Sequence, residues 1–212
     1  MGRPRAVTDE QIIAAARRCF LDRGAGVPAS EIARDLGVSH TTLFNRFGSK
    51  EGLLVAALEP PREVPWVEAL EAGPDGRPVR DQLVEHARVI SAFYAEMEAG
   101  LSLLRAAGVE HGSGGCTRGE GEAESAAERG YHALVAWLER AQRQESLAIC
   151  DSRTLASTIL GALHGWTLTA TACGQGDHAE GAGACDAGDR HVERVVDLLW
   201  HGIGPRAGVV PG

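Results

Sequence analysis

The apolar residues of this chain recur at three- and four-residue intervals almost from end to end, and alternating runs of aromatic or β-branched residues are missing. That period is the helical one, so the 212 residues are read as an all-α protein. Helix signals are dense near the N-terminus. Thr8 and Gln11 stand in register for a capping box, Val7 and Ile12 for a hydrophobic staple, and Gly24 for a left-handed stop after Arg23. A second short helix is expected from Pro28 to Leu36, with the proline at the first helical position. Gly37 then makes a turn, Ser39 caps a helix from His40 to about Phe47, and Ser49 caps another from Lys50 to about Glu59 before Pro60-Pro61.

Residues 61–78 turn to proline, glycine and acid, which reads as a connector with one short helix around Trp66 to Ala72. Longer helices follow. Leu83, Ala87, Ile90, Tyr94, Met97, Leu101 and Leu104 form one stripe, with Gly100 as a candidate kink. Ser125 and Glu128 pair as a second capping box for a helix reaching about Ser146, and Asp151 caps a helix from Ser152 to about Cys173. A last helix carries Val192 to Ile203. The glycine-rich segments 108–122 and 174–188 read as loops. The expected organisation is therefore a small helical domain, 1–58, and a larger one, 59–212.

Charge separates the two. The net charge is −8, yet residues 1–60 carry eight Lys/Arg against seven Asp/Glu while the remainder carries thirteen against twenty-two. Only the N-terminal third can approach a polyanion without strong repulsion. No apolar run is long enough to span a bilayer, and no signal-peptide pattern opens the chain, so a cytoplasmic protein without a membrane partner is expected. The five cysteines are widely spaced and never in a Cys-x-x-Cys pair, which points to reduced thiols and neither a disulfide framework nor a zinc knuckle. Nucleophile elbow, phosphate-cradling loop and HExxH pattern are all missing from the sequence, so an enzyme is not expected, and no cofactor or metal is assigned.

The segment EIARDLGVSHTTLFNRFGSKEGLL, residues 31–54, resembles the DNA-binding signature of the TetR family of repressors. The likeness of sequence extends over about residues 8–58. It implies a three-helix helix-turn-helix domain followed by a helical domain for ligand binding and dimerisation. In that resemblance the helix opened by Ser39 enters the major groove. His40, Thr41 and Asn45 face base edges, and Thr42, Phe44, Arg46 and Lys50 touch or flank phosphates. The chemistry suits those roles: Asn bridges adenine N6 and N7, imidazole donates to guanine, and Lys50 adds charge to free helix amides. Phe44 stands where the family usually has tyrosine, His40 replaces a frequent lysine, and Val27-Pro28 replaces a Ser/Thr cap. Arg3 and Arg5 form a basic start that reads either as a minor-groove arm or as an untethered tail.

A ligand pocket is implied between the helices of the larger domain, with Phe93, Tyr94, Met97, Leu104, Trp137 and Trp166 as its candidate lining. The Ser152 helix is apolar on more than one face and needs cover on both. The last two helices are therefore expected to form a four-helix bundle across a two-fold axis, through Leu155, Ile159, Leu163, Trp166, Val192, Val195 and Leu199. The function expected is a homodimeric repressor released from double-stranded operator DNA by an unknown small-molecule ligand. The alternatives are a sensor or interaction protein with a vestigial DNA-binding unit, or a metal- or redox-responsive regulator using Cys173, His178 and Cys185.

Overall fold

The computed structural model describes residues 7–60, 64, 66–109, 126–172 and 183–203. They form α1 (Asp9–Arg23), α2 (Ala29–Asp35), α3 (His40–Phe47), α4 (Lys50–Leu58), α5 (Val67–Glu71), α6 (Val79–Ala106), α7 (Ala126–Arg143), α8 (Ser152–Ala172) and α9 (Gly183–Ile203), with no strand among the described residues. Two compact units result. The N-terminal unit takes α1 to α4 together with α6 from Glu96 onward, and the second takes α5, α6 up to Ala95, and α7 to α9. A cut between residues 58 and 59 does not anticipate this sharing of α6, because the apolar stripe runs on unbroken while the residues that cover it change.

In the N-terminal unit α1 starts on the expected capping box, Thr8 accepting from the Gln11 amide while the Gln11 side chain accepts from the Thr8 amide. Gly24 has the expected positive φ of 81°, but its ψ of 168° is extended; it stops the helix by donating to the Phe20 carbonyl without the left-handed cap. Pro28 is the N-cap of α2 and not its first helical residue. Ile12, Phe20, Ile32, Leu43, Leu53 and Leu58 fill the core, where each fully buried side chain contributes roughly 1.5–3 kcal/mol. Arg17 reaches across this unit. Its guanidinium donates to the carbonyls of Ala57 and Glu59, at 3.0 and 3.3 Å, and pairs with Glu96, so it caps the end of α4 and holds α6 to it. Gly100 lies within continuous helix, and its place is explained by close approach: a Cβ there would sit 3.2 Å from the Leu58 carbonyl oxygen.

The second unit is built on Trp137, Leu83, Ile90, Leu134, Ile159, Leu163 and Val192, all essentially inaccessible to water. Gln82 ties the connector to α6, accepting from the Asp75 amide at 3.0 Å and donating to the Arg77 carbonyl at 2.7 Å. Asp151 caps α8 through the amides of Arg153 and Thr154. Arg80 with Asp197, and Arg88 with Glu193, join α6 to α9. The last helix begins at Gly183, inside the glycine-rich segment 174–188 that the sequence reads as a loop. Ser125 lies outside the described residues, so its capping box does too.

Trp66, read from sequence as part of a connector, is buried in this core with its ring against Gly130 of α7. A Cβ at residue 130 would fall 2.3 Å from Trp66 Cη2. Gly130→Ala is therefore expected to lower stability by about 1–3 kcal/mol, because ring and helix must part. Gly188→Ala, where a Cβ meets nothing within 4 Å, is expected to be neutral or stabilising. Paired thermal melts with tryptophan emission check both. His86 gives a second test: it packs edge-on against Trp137 at 5.2 Å, and burial holds its pKa below the ordinary 6.5, against the opposing pull of Glu85. Since the unfolded chain takes up a proton that the folded imidazole resists, stability should fall as pH drops below about 6.5. His86→Gln should remove that component from a pH series of melting temperatures.

Candidate nucleic-acid interface

Helices α2 and α3 are joined by a turn that only a few backbone conformations close. The Gly37 amide donates to the Arg34 carbonyl, the Val38 amide to the Ala33 carbonyl, and Gly37 takes a φ of 67°. Ser39 then opens α3 with its hydroxyl, which accepts from the Thr42 amide at 3.0 Å and lies 2.7 Å from the Thr42 hydroxyl. Those two hydroxyls satisfy each other. Leu43 anchors the inner face of α3, while His40, Thr41 and Asn45 are exposed on the other, and among the described residues no hydrogen bond engages the Thr41 or Asn45 side chain. The His40 ring leans on Phe44, centroid to centroid 4.3 Å, so the phenyl ring that stands for tyrosine supports a residue of the outward face.

Gly48, at a φ of 75°, ends α3, and Ser49 caps α4 by accepting from the Gly52 amide at 2.9 Å. Gly52 is obligatory at this corner, since a Cβ would fall 2.1 Å from the Phe47 carbonyl oxygen. Lys50 stands at the first position of α4, at the end where helix amides have no intrahelical partner. The carboxylate of neighbouring Glu51 is held below its ordinary range by its own amide and by the Ser49 hydroxyl. Arg46 is engaged inside the protein: its Nη1 donates to the Val7 carbonyl at 2.6 Å and to Asp9 Oδ1 at 2.9 Å. Arg3 and Arg5 lie outside the described residues.

The candidate pocket residues divide between the two units. Leu104 is fully buried in the core of the N-terminal unit, and Met97, half-buried, falls in the segment grouped with that unit. In the second unit Trp137 is wholly buried, and Phe93 lies edge-on to Trp66 at 6.3 Å. Tyr94 stacks on His164 at 4.7 Å, with burial raising the phenol's pKa above its ordinary value. Trp166 stacks on His191 at 4.3 Å. Trp66, His164 and His191 are not among the candidate pocket residues read from the sequence; their helical register beside aromatic positions was the available signal.

Of the candidate dimer residues, Leu155, Ile159, Leu163 and Val192 are buried in their own unit's core. Trp166, Val195 and Leu199 are half-buried. The apolar side chains that α8 and α9 leave to solvent are Leu168, 45% exposed, and Leu198, 77% exposed. Cys173 and His178 lie outside the described residues, as does the Cys185 side chain, and no cluster of three or more His, Cys, Asp or Glu suited to a metal ion occurs among the described residues. No helix among them is long and apolar enough to cross a membrane.

Residues 12–57 match the model of the tetR family of bacterial regulatory proteins. The HTH-type transcriptional repressor BdcR of Escherichia coli (strain K12) is 33% identical over 99 residues, which is 45% of this chain and 49% of that protein. The chain thus matches about half the length of this curated relative. A TetR transcriptional regulator of Streptomyces coelicolor is 26% identical, with 94% of this chain and all of that one covered at a TM-score of 0.57. A TetR-family regulator of Mesorhizobium loti shares the fold at 19% identity, covering 93% of this chain and 96% of that one at a TM-score of 0.57. The capped helix-turn-helix lies inside the matched residues, and over this N-terminal segment the chain is similar to the tetR family of bacterial regulatory proteins.

Proposed function

We propose that the protein is a homodimeric transcriptional repressor that binds operator DNA through α3 and leaves it when a small ligand binds the second unit. The observation that carries the reading is the outward face of α3: His40, Thr41 and Asn45 stand exposed on a short helix held by a serine cap and a buried leucine. Such a helix fits the major groove, which is wide enough to admit it and displays a distinct donor and acceptor pattern for each base pair. Lys50 and the amides at the start of α4 supply a phosphate site beside it. The name of the Escherichia coli relative, a transcriptional repressor, favours repression.

Dimerisation is assigned to the faces that α8 and α9 leave uncovered. Gly161 and Gly165 on α8 have open space where a Cβ would stand, next to exposed Leu168, and α9 offers Leu198 beside half-buried Val195. Small residues let a second copy approach closely, and the exposed leucines then lose their contact with water. The ligand is assigned to the second unit, where Trp66, Phe93, Tyr94 and His164 form a run of ring contacts.

Lys50→Ala should weaken binding to every duplex and reduce the log-log salt slope by about one. Fluorescence anisotropy at several salt concentrations measures it, and an unchanged slope removes Lys50 from the phosphate contacts. Leu198→Glu should yield a folded monomer by sedimentation. It should also lose operator affinity, because the two recognition helices of a dimer read half-sites about 34 Å apart. A ligand that perturbs tryptophan emission should weaken DNA binding by the same factor as DNA weakens ligand binding, about 5- to 150-fold. A ligand that binds while leaving DNA affinity untouched would support the vestigial reading instead.

A further inference from the structure

We infer that Arg46 acts as a positioning residue for DNA reading, pinning the last turn of α3 to the start of α1, and does not serve as a phosphate contact. The inference rests on the DNA-binding reading above. Its basis is geometric. Both hydrogens of Nη1 are taken within the chain, one by the Val7 carbonyl at 2.6 Å and one by Asp9 Oδ1 at 2.9 Å. Arg46 and Asp9 together carry no net charge, so a phosphate reaching the other guanidinium nitrogens, Nε and Nη2, meets a cation already offset by Asp9.

The placement gives the tie its effect. Arg46 follows Asn45, the last exposed base-reading candidate on α3, while Val7 and Asp9 flank Thr8, the N-cap of α1. The two ends are 37 residues apart in sequence, and the tie adds to the Thr8 capping box where helix termini have the fewest backbone bonds to hold them. The pair is partly exposed, Arg46 at 32% and Asp9 at 59%, so its contribution to overall stability is small. Its leverage is on the register of Asn45. Asp9 is also the first acidic residue of α1, and pairing it with Arg46 neutralises a carboxylate that stands beside α3.

The test replaces one neutral pair by another. In Arg46→Met with Asp9→Asn the net charge stays constant and the tie is lost. Binding is measured by anisotropy to a duplex selected by the wild-type protein from random-sequence DNA, and to a scrambled duplex of equal length, over a range of salt. The expected result is a loss of about three- to tenfold on the selected duplex, with scrambled-duplex affinity and both salt slopes unchanged. Equal losses on both duplexes with a slope reduced by about one would make Arg46 a phosphate contact and overturn the proposal. Equal losses with an unchanged slope and a lowered melting temperature would make its role merely structural, and would overturn it too. Hydrogen exchange without DNA reads the tie directly: amides in the first turn of α1 should exchange faster in Arg46→Met, and unaltered exchange would overturn the proposal whatever the DNA results. Failure of the wild-type protein to select any duplex would instead overturn the DNA-binding reading on which the inference stands.

Discussion

A helix of eight residues is too short to persist alone, and α3, His40–Phe47, is such a helix. Everything assigned to the DNA-facing surface depends on its being held from outside its own backbone. Leu43 supplies the apolar anchor, 2% exposed in a core shared with Ile12, Ile32 and Leu53. The Ser39 hydroxyl satisfies an orphan amide at one end, Gly48 turns the chain at the other, and the Arg46 guanidinium ties the last turn to Val7 and Asp9. Each polar tie is worth about a kilocalorie alone, beside roughly 1.5–3 kcal/mol for burying Leu43. Acting on the same two turns, they leave His40, Thr41 and Asn45 outside with their helical geometry intact.

The segment from Glu96 onward in α6 extends the same core. Leu104 is fully buried there, Gly100 lets the helix come within van der Waals contact of the Leu58 carbonyl, and Arg17 caps α4 while pairing with Glu96. The N-terminal unit is thus four short helices plus part of a long one. The second unit follows a different logic, in which large rings set the spacing. Trp137 is enclosed by α7's own neighbours and by His86, and Trp66 uses the missing side chain of Gly130 to reach the core. On α8 the glycines have the opposite meaning, because Gly161 and Gly165 face open space.

Much of this was legible from residue order alone because its causes are local. Helical period, the Thr8 and Ser39 caps, the glycine turn at residue 37 and the Asp151 cap act over three or four residues, and all stand where the sequence puts them. Helix α3 could be placed from His40 to about Phe47 for the same reason. Periodicity also identified which positions of α6, α8 and α9 are apolar.

Periodicity could not say what covers an apolar position, since that is decided by chains distant in sequence. Leu104 and Ile90 share one helix stripe yet enter different cores. Leu155, Ile159 and Leu163 are buried within their own unit, while Leu168 on α8 and Leu198 on α9 are exposed. Likewise, Arg46 has the residue type and place of a phosphate ligand, and only the arrival of Val7 and Asp9 from 37 or more residues away gives it intramolecular acceptors. The sequence by itself determined the helices, their caps and the polar face of α3, because backbone hydrogen bonding and side-chain period are short-range. Tertiary structure decided which apolar faces meet and which charged groups are already spoken for, because burial and ion pairing depend on positions in space.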